Sequence, residues 1–145
     1  MSDNMVKDIH DMHAKYGVHE WVRTKIESGD AESLQSFLSF RMDFINEEYQ
    51  ETLKAIYHDQ DPEEIVDGLI DIIVVALGTL DAFGVNPQKA WDEVHNANMA
   101  KKVGVKAERP NPLGLPDLVK PLEWKAPSHD GNHGYLPHFV QEHIR

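Results

Sequence analysis

Acidic side chains lie on the packing faces of two successive predicted helices, within residues 41 to 71. Residues three or four apart share a helix face, so Glu48 and Glu51 continue the apolar stripe that Leu34 and Phe37 begin. On the second helix, one face carries the acids Glu64, Asp67 and Asp71. Apolar stripes of this kind pack against each other, so the carboxylates are predicted to face one another instead of bulk water.

Carboxylates that face one another carry a large electrostatic cost. Two like charges about 4 Å apart repel by roughly 4 kcal/mol at an effective dielectric near 20, and a whole domain is stable by only about 5–15 kcal/mol. Protonation, splaying into solvent or a bound cation would relieve the repulsion. Oxygen ligands favour Mg²⁺, Mn²⁺ or Ca²⁺ over zinc. We therefore hypothesise a Mg²⁺ site for phosphoanhydride hydrolysis; the competing interpretation is that these acids only solvate a helix surface.

The segment EEYQE, followed by a second acidic helix and an apolar run, resembles the MazG-type all-α nucleoside triphosphate pyrophosphohydrolases. That superfamily includes dimeric dUTPases and phosphoribosyl-ATP pyrophosphohydrolases, and its pattern is EExxE, a gap, then ExxD. Glu47–Glu51 matches the first half. In the second half, either Asp71 is the family's aspartate, with Gly68 at the glutamate position and Asp67 as substitute, or Glu64 and Asp67 form the literal ExxD. Asp71 is favoured because it leads directly into an apolar run, as the family's aspartate does.

The resemblance extends beyond this pattern and covers most of residues 34 to 102. FRMDFINEE, FGVNPQKAWDEVHNANMAKK and PDLVKPLEW are similar to segments of phage-type members. It implies that Asn98 and Lys101 contact substrate phosphates, whereas the alternative for the lysine is a favourable interaction with its helix C-terminus. Arg41 could either pair with the carboxylates or bind phosphate.

The activity that the resemblance implies is hydrolysis of a (deoxy)nucleoside triphosphate to the monophosphate and pyrophosphate. The cofactor would be Mg²⁺, for which Mn²⁺ can substitute, and the ligands would be Glu48, Glu51, Asp67 and Asp71. The catalytic pair would be Glu47 and Glu48, with Glu47 as a further ligand or as the general base. A purine nucleotide such as dGTP or GTP, in phage nucleotide metabolism, is one candidate substrate.

Two other classes of protein compete with this interpretation. The first is a non-catalytic helical module of the same fold that binds nucleotide or metal, which Gly68 in place of a glutamate would suit. The second is a di-metal carboxylate oxidase bundle, which needs ExxH on two helices. Only Asp92 and His95 approach that spacing, so this class is disfavoured.

Composition limits the partners and the compartment. The net charge of −11 disfavours nucleic acid as a partner, because phosphate backbones bind basic surfaces. The absence of cysteine excludes disulfides, and no apolar run reaches the length of a membrane span. We expect a protein of the cytoplasm, or of the host cytoplasm if a phage encodes it.

Helical periodicity and helix-breaking residues predict an all-α bundle over residues 1–104 and a proline-rich extended tail over residues 105–145. The helices are too few to bury their apolar surface alone, so we expect a homodimer or homotetramer. His10 and His13 on the first helix are predicted to face solvent, with contact to a base as the alternative. The histidines of the tail lack the tight spacing of a metal site.

Overall fold

The computed structural model describes residues 4–106, 108 and 111–140, and α-helices dominate them. Five helices follow in order: α1 Met5–Lys15, α2 Val18–Glu27, α3 Ala31–Lys54, α4 Pro62–Ala82 and α5 Pro87–Met99. Two three-residue strands, β1 Lys102–Gly104 and β2 Asp117–Val119, pair antiparallel. The all-α fold is confirmed; the short strand pair was not predicted.

Side-chain caps set the first residues of three helices. Asn4 accepts from the backbone N–H of Lys7 and begins α1, and Asp30 accepts from that of Ser33 and begins α3. Asp61 accepts from the N–H of Glu63, and Pro62 occupies the first position of α4. Polar caps of this type satisfy backbone donors that have no partner within the helix.

The end of α3 departs from regular α-helical geometry. The chain winds into a π-helical turn over Ala55–Asp59, closed by a bond from the Asp61 N–H to the Ala55 carbonyl at 3.0 Å. Gln60 then takes a left-handed conformation with φ of 51°. This turn is wider than an α-helical turn, and it reverses the chain from α3 into α4.

The described residues group into two compact units, and these divide the chain at positions other than residue 104. The first unit comprises the residues up to Pro87 together with those from His133 onward, and the second comprises Gln88–Asn132. The sequence-based boundary at residue 104 stays a prediction about domains, whereas these units describe packing.

The core of the first unit joins α2, α3 and α4 to the last described residues of the chain. Its centre consists of Val22, Leu34, Phe83 and Phe139. The rings of Phe83 and Phe139 lie 5.1 Å apart, and the Tyr135 N–H donates to the Phe83 carbonyl at 2.7 Å. Residues of the 133–140 segment therefore contribute to the core of the first unit.

The second unit is held together around Trp124. Its indole N–H donates to the Ala97 carbonyl on α5 at 2.7 Å. The ammonium groups of Lys101 and Lys120 lie 5.5 and 4.8 Å from the centre of the Trp124 ring. These contacts join α5 to the segment that follows β2.

Within the described residues of the whole chain, no single helix is long and apolar enough to cross a membrane.

Candidate functional site

The packing of α3 against α4 gathers four of the predicted carboxylates. Glu48 on α3 is partly buried, whereas Glu47, Glu51 and Asp71 are exposed, so the expectation that these three are turned away from bulk water was wrong. The pKa of Glu48 is raised above its ordinary value, first by burial and then by the negative charges of Asp71, Glu51 and Glu47. Charges on two different helices thus act on one carboxyl group. We call these four residues the acid cluster.

Gly68 allows α3 and α4 to approach closely beside the acid cluster. It is buried, and a β-carbon at this position would overlap the hydroxyl of Thr52 and lie 3.1 Å from its Cβ. The Thr52 hydroxyl in turn donates to the Glu48 carbonyl at 2.7 Å. The position that the resemblance aligns with a glutamate therefore has no room for a side chain while Thr52 holds this rotamer.

The remaining acids proposed for the site lie on the exposed surface of α4. Asp67 immediately precedes Gly68, and Glu64 belongs to the first turn of the helix. The cap of that turn uses Asp61 as the acceptor and the Glu63 N–H as the donor. Whether Asp67 or Glu64 joins the acid cluster as a metal ligand stays a prediction.

Arg41 on α3 extends across to α4, where its guanidinium is partly buried. It donates from Nε to the Thr79 hydroxyl at 3.1 Å and from Nη2 to the Val75 carbonyl at 3.0 Å. Burial lowers the pKa of Arg41 from its ordinary value. These bonds show a role in joining the two helices; a role in binding phosphate stays a prediction.

Asn98 and Lys101 lie in the second unit, at the end of α5. Asn98 is exposed, and its carbonyl accepts from the Lys101 N–H at 3.2 Å. The Lys101 ammonium lies over the Trp124 ring. Their proposed contact with substrate phosphates stays a prediction.

Three histidines converge on Asp81, a cluster that the sequence analysis missed. His10 Nδ1 lies 2.8 Å from one carboxylate oxygen of Asp81, and His13 Nδ1 and His19 Nε2 lie 2.9 and 2.6 Å from the other. His13 is buried, so the expectation that it faces solvent was wrong; His10 is exposed but bonded to Asp81. The only local signal was an aspartate within the apolar end of α4.

The ionisation of this histidine cluster follows from burial and hydrogen bonding. Burial raises the pKa of Asp81, but the bonds from His10 and His19 and the charge of His19 outweigh it, and the pKa is lowered overall. Burial lowers the pKa of His13, against the opposing effect of Asp81. Asp81 is therefore an ionised acceptor for the three rings.

Among the described residues, one group of side chains has its ligand atoms close enough together to hold a metal ion, and it is not the acid cluster. The acid cluster offers only carboxylate oxygens, the donors that Mg²⁺ and Ca²⁺ prefer, and its binding of an ion stays a prediction. His10, His19 and Asp81 offer two imidazole nitrogens and a carboxylate oxygen, all within 4.8 Å of one another. That mixed set favours transition ions.

Comparison with known proteins identifies the family. A family model described as phosphoribosyl-ATP pyrophosphohydrolase matches residues 17–98, more than half of the chain. No curated protein and no solved structure matches the chain. The match includes α3, α4 and the acid cluster, and it confirms the family resemblance described from the sequence. The chain belongs to the phosphoribosyl-ATP pyrophosphohydrolase family, an all-α family of MazG-like pyrophosphohydrolases.

Proposed function

We propose that the chain hydrolyses a nucleoside triphosphate between its α and β phosphates, releasing the monophosphate and pyrophosphate. The observation that carries the proposal is the arrangement of the acid cluster, in which the partly buried Glu48 on α3 lies close enough to Glu47, Glu51 and Asp71 for their charges to act on it. A buried or half-buried group with such neighbours is a common mark of a functional site. Membership of a pyrophosphohydrolase family supports this class of reaction.

The donor set of the acid cluster fits a hard divalent cation, and we propose Mg²⁺, with Mn²⁺ as a substitute. Glu48, Glu51 and Asp71 would be ligands, and Asp67 would supply the fourth carboxylate because Gly68 offers none. When bound, the ion would polarise the phosphates and lower the pKa of a coordinated water.

The chain's own residues would then position the reactants and move one proton. Glu47 would accept the proton of the attacking water or serve as a further ligand. The water oxygen forms a bond to the α phosphorus as the bond from that phosphorus to the α–β bridging oxygen breaks. Pyrophosphate leaves with the bridging oxygen, and the nucleoside monophosphate remains. Arg41 would offset the charge of the polyphosphate, and for Asn98 and Lys101 the same role is proposed from the family resemblance alone.

A panel of ribo- and deoxynucleoside triphosphates tests the reaction and its base preference. Full-length protein is incubated with Mg²⁺ and each nucleotide, with and without inorganic pyrophosphatase, and the products are separated by chromatography. We expect the monophosphate in every active reaction, and inorganic phosphate only where pyrophosphatase is present. Phosphate released without that enzyme would indicate cleavage at the γ position and contradict the proposal.

The same panel addresses the finer proposals. Purines, dGTP and GTP among them, are the substrates that we propose, as part of nucleotide metabolism in the cytoplasm of a phage-infected host. If no nucleotide yields monophosphate and pyrophosphate, the result would support a non-catalytic binding module of the same fold.

The surface of α4 supports the proposal that the protein is a homodimer or homotetramer. Val66, Leu69, Ile70 and Ile73 are each 40 to 61 % exposed. Their spacing of three and four residues places them on one face of α4. Contiguous apolar surface of this kind commonly marks an interface with another protein chain.

A further inference from the structure

We propose that His10, His19 and Asp81 form a second metal site, selective for a divalent transition ion, for which Zn²⁺ is the simplest probe. The three side chains come from α1, α2 and α4, so the site depends on the fold of the first unit. Their ligand atoms lie within 4.8 Å of one another. Two imidazole nitrogens with one carboxylate are a donor set that Zn²⁺, Fe²⁺ and related ions use with open positions for water.

The distances between these atoms suit the insertion of an ion. Zinc–nitrogen and zinc–oxygen bonds of about 2.0–2.2 Å hold tetrahedral ligand atoms about 3.3–3.6 Å apart. The two nitrogen–oxygen distances to Asp81 are 2.8 Å from His10 and 2.6 Å from His19. Small rotations of the side chains would therefore bring each ligand atom to bonding distance. Each imidazole would take the tautomer that leaves the ligating nitrogen without a proton.

His13 is a positioning residue in this site. Its ring is buried, and its Nδ1 lies 2.9 Å from the Asp81 oxygen that also accepts from His19. A hydrogen bond of this kind fixes the orientation of a ligating carboxylate and is a regular part of metal sites. The carboxylate is thus held in place before an ion arrives.

The site is open to solvent on one side. The three proposed ligands line a surface cavity of about 600 Å³, together with Lys7, Arg23 and Tyr135 among others. The His10 side chain is 61 % exposed, whereas that of Asp81 is 6 % exposed. An ion could enter past His10 and keep water in its remaining positions.

The second site is distinct from the acid cluster in position and in chemistry. Asp81 lies ten residues beyond Asp71 on α4, which corresponds to about 15 Å along a helix axis. Its nitrogen donors favour borderline ions, whereas the carboxylates of the acid cluster favour Mg²⁺. Because the ion would join α1 and α2 to α4, its expected effect is to stabilise the first unit.

Metal titration of the full-length protein without a polyhistidine tag tests the proposal. Zn²⁺ is added to metal-free protein in a calorimeter, and Co²⁺ is followed by visible absorption, which reports nitrogen and oxygen coordination directly. With excess Mg²⁺ present to occupy the acid cluster, we expect one Zn²⁺ or Co²⁺ ion per chain with micromolar or tighter affinity. We also expect a rise in Tm of roughly 5–10 °C at about 100 times Kd.

Matched variants locate the ion. His10→Ala and His19→Ala should each weaken binding at least tenfold. His58→Ala removes an exposed histidine whose Nδ1 lies 2.8 Å from Asp59, and it should bind as the unmodified protein does. Glu48→Gln should also bind normally, because it alters only the acid cluster.

Two results would overturn the proposal. One is no stoichiometric Zn²⁺ or Co²⁺ in the unmodified protein, which would make the cluster a hydrogen-bonded link between helices. The other is loss of binding in Glu48→Gln with retention in both histidine variants, which would assign the ion to the acid cluster.

Discussion

Glu48 is the residue at which burial and like charge act together. It is the partly buried member of the acid cluster, and its pKa is raised by that burial and by its three neighbours. Each negative charge near Glu48 costs stability in the metal-free protein. A side chain kept for stability alone would not be placed in this way, so catalysis and stability should respond to its replacement in opposite directions.

Glu48→Gln tests that opposition. We expect pyrophosphohydrolase activity to fall at least about 100-fold, because a ligand for the proposed ion is lost. Stability in urea without metal should stay equal or increase, because one of the mutually repelling charges is removed. Glu63→Gln, an exposed acid in the first turn of α4, is the matched control and should change neither value. A fall in stability that accompanies the loss of activity would instead indicate a structural role.

Helix periodicity can predict which acids share a face of α3 but cannot predict the histidine cluster, and the difference is one of distance along the chain. Glu48 and Glu51 lie one turn apart, so helix periodicity alone places them on one face. His10, His13 and His19 meet Asp81 across 62 to 71 residues of chain. No local pattern encodes such a contact, and an exposed histidine is the common case for that residue type.

At the scale of single helices, a cap depends on residues that are close in the sequence, so it can be predicted from local sequence. Asp30 and Asp61 precede α3 and α4 and accept hydrogen bonds from the backbone N–H groups of Ser33 and Glu63. The π-helical turn over Ala55–Asp59 was not predictable in this way. It depends on how α3 must reverse into α4 and not on the preference of any residue within it.

The cap of α3 gives a pH dependence with a definite sign. Hydrogen bonds from the hydroxyl and the backbone N–H of Ser33 lower the pKa of Asp30. A group with a lowered folded-state pKa adds stability above its unfolded value, about 3.9, and loses it as pH falls through the folded value. The stability of the unmodified protein relative to Asp30→Asn should therefore be greatest near neutral pH and shrink below about pH 4.

Urea midpoints at several pH values measure this difference. Asp30→Asn is the matched variant because asparagine keeps a capping oxygen but does not titrate. Comparison with it removes the contribution of the many other carboxylates that protonate in acid. A difference that is constant with pH, or that grows towards acid, would contradict the assigned cause.

The contact between α3 and α4 gives a second prediction at this scale. In the interior of a helix, Gly→Ala normally stabilises by about 1 kcal/mol. At Gly68 a β-carbon would overlap the Thr52 hydroxyl, so we expect Gly68→Ala to destabilise by about 1–3 kcal/mol instead. Thr52→Ala combined with Gly68→Ala should recover part of that loss.

A double-mutant cycle in urea measures the coupling of these two positions. We expect a coupling free energy above about 0.5 kcal/mol. Additive effects, or an increase in stability on Gly68→Ala alone, would show that the helices do not approach closely at this point.

At the scale of the whole molecule, some apolar residues are buried within the chain and others stay exposed on its surface. Phe139, near the end of the described chain, is buried against Phe83 and completes the core of the first unit. The sequence analysis did not predict this contact, because contacts so distant along the chain leave no periodic pattern. The apolar face of α4, by contrast, remains exposed within one chain.

That exposed face carries the prediction about assembly. Ile70 and Ile73 are 51 and 40 % exposed and lie three residues apart on α4. If a second copy of the chain covers them, glutamine at both positions removes apolar contact area, and the assembly should dissociate at micromolar concentrations.

Ile56→Gln, at a side chain of 38 % exposure in the π-helical turn, is the control and should keep the assembly intact. Light scattering after size exclusion gives the masses directly. A monomeric unmodified protein, or a dimer unchanged by the double substitution, would leave α4 without the proposed partner; dissociation with helicity retained would place the interface on the helix that carries Asp71.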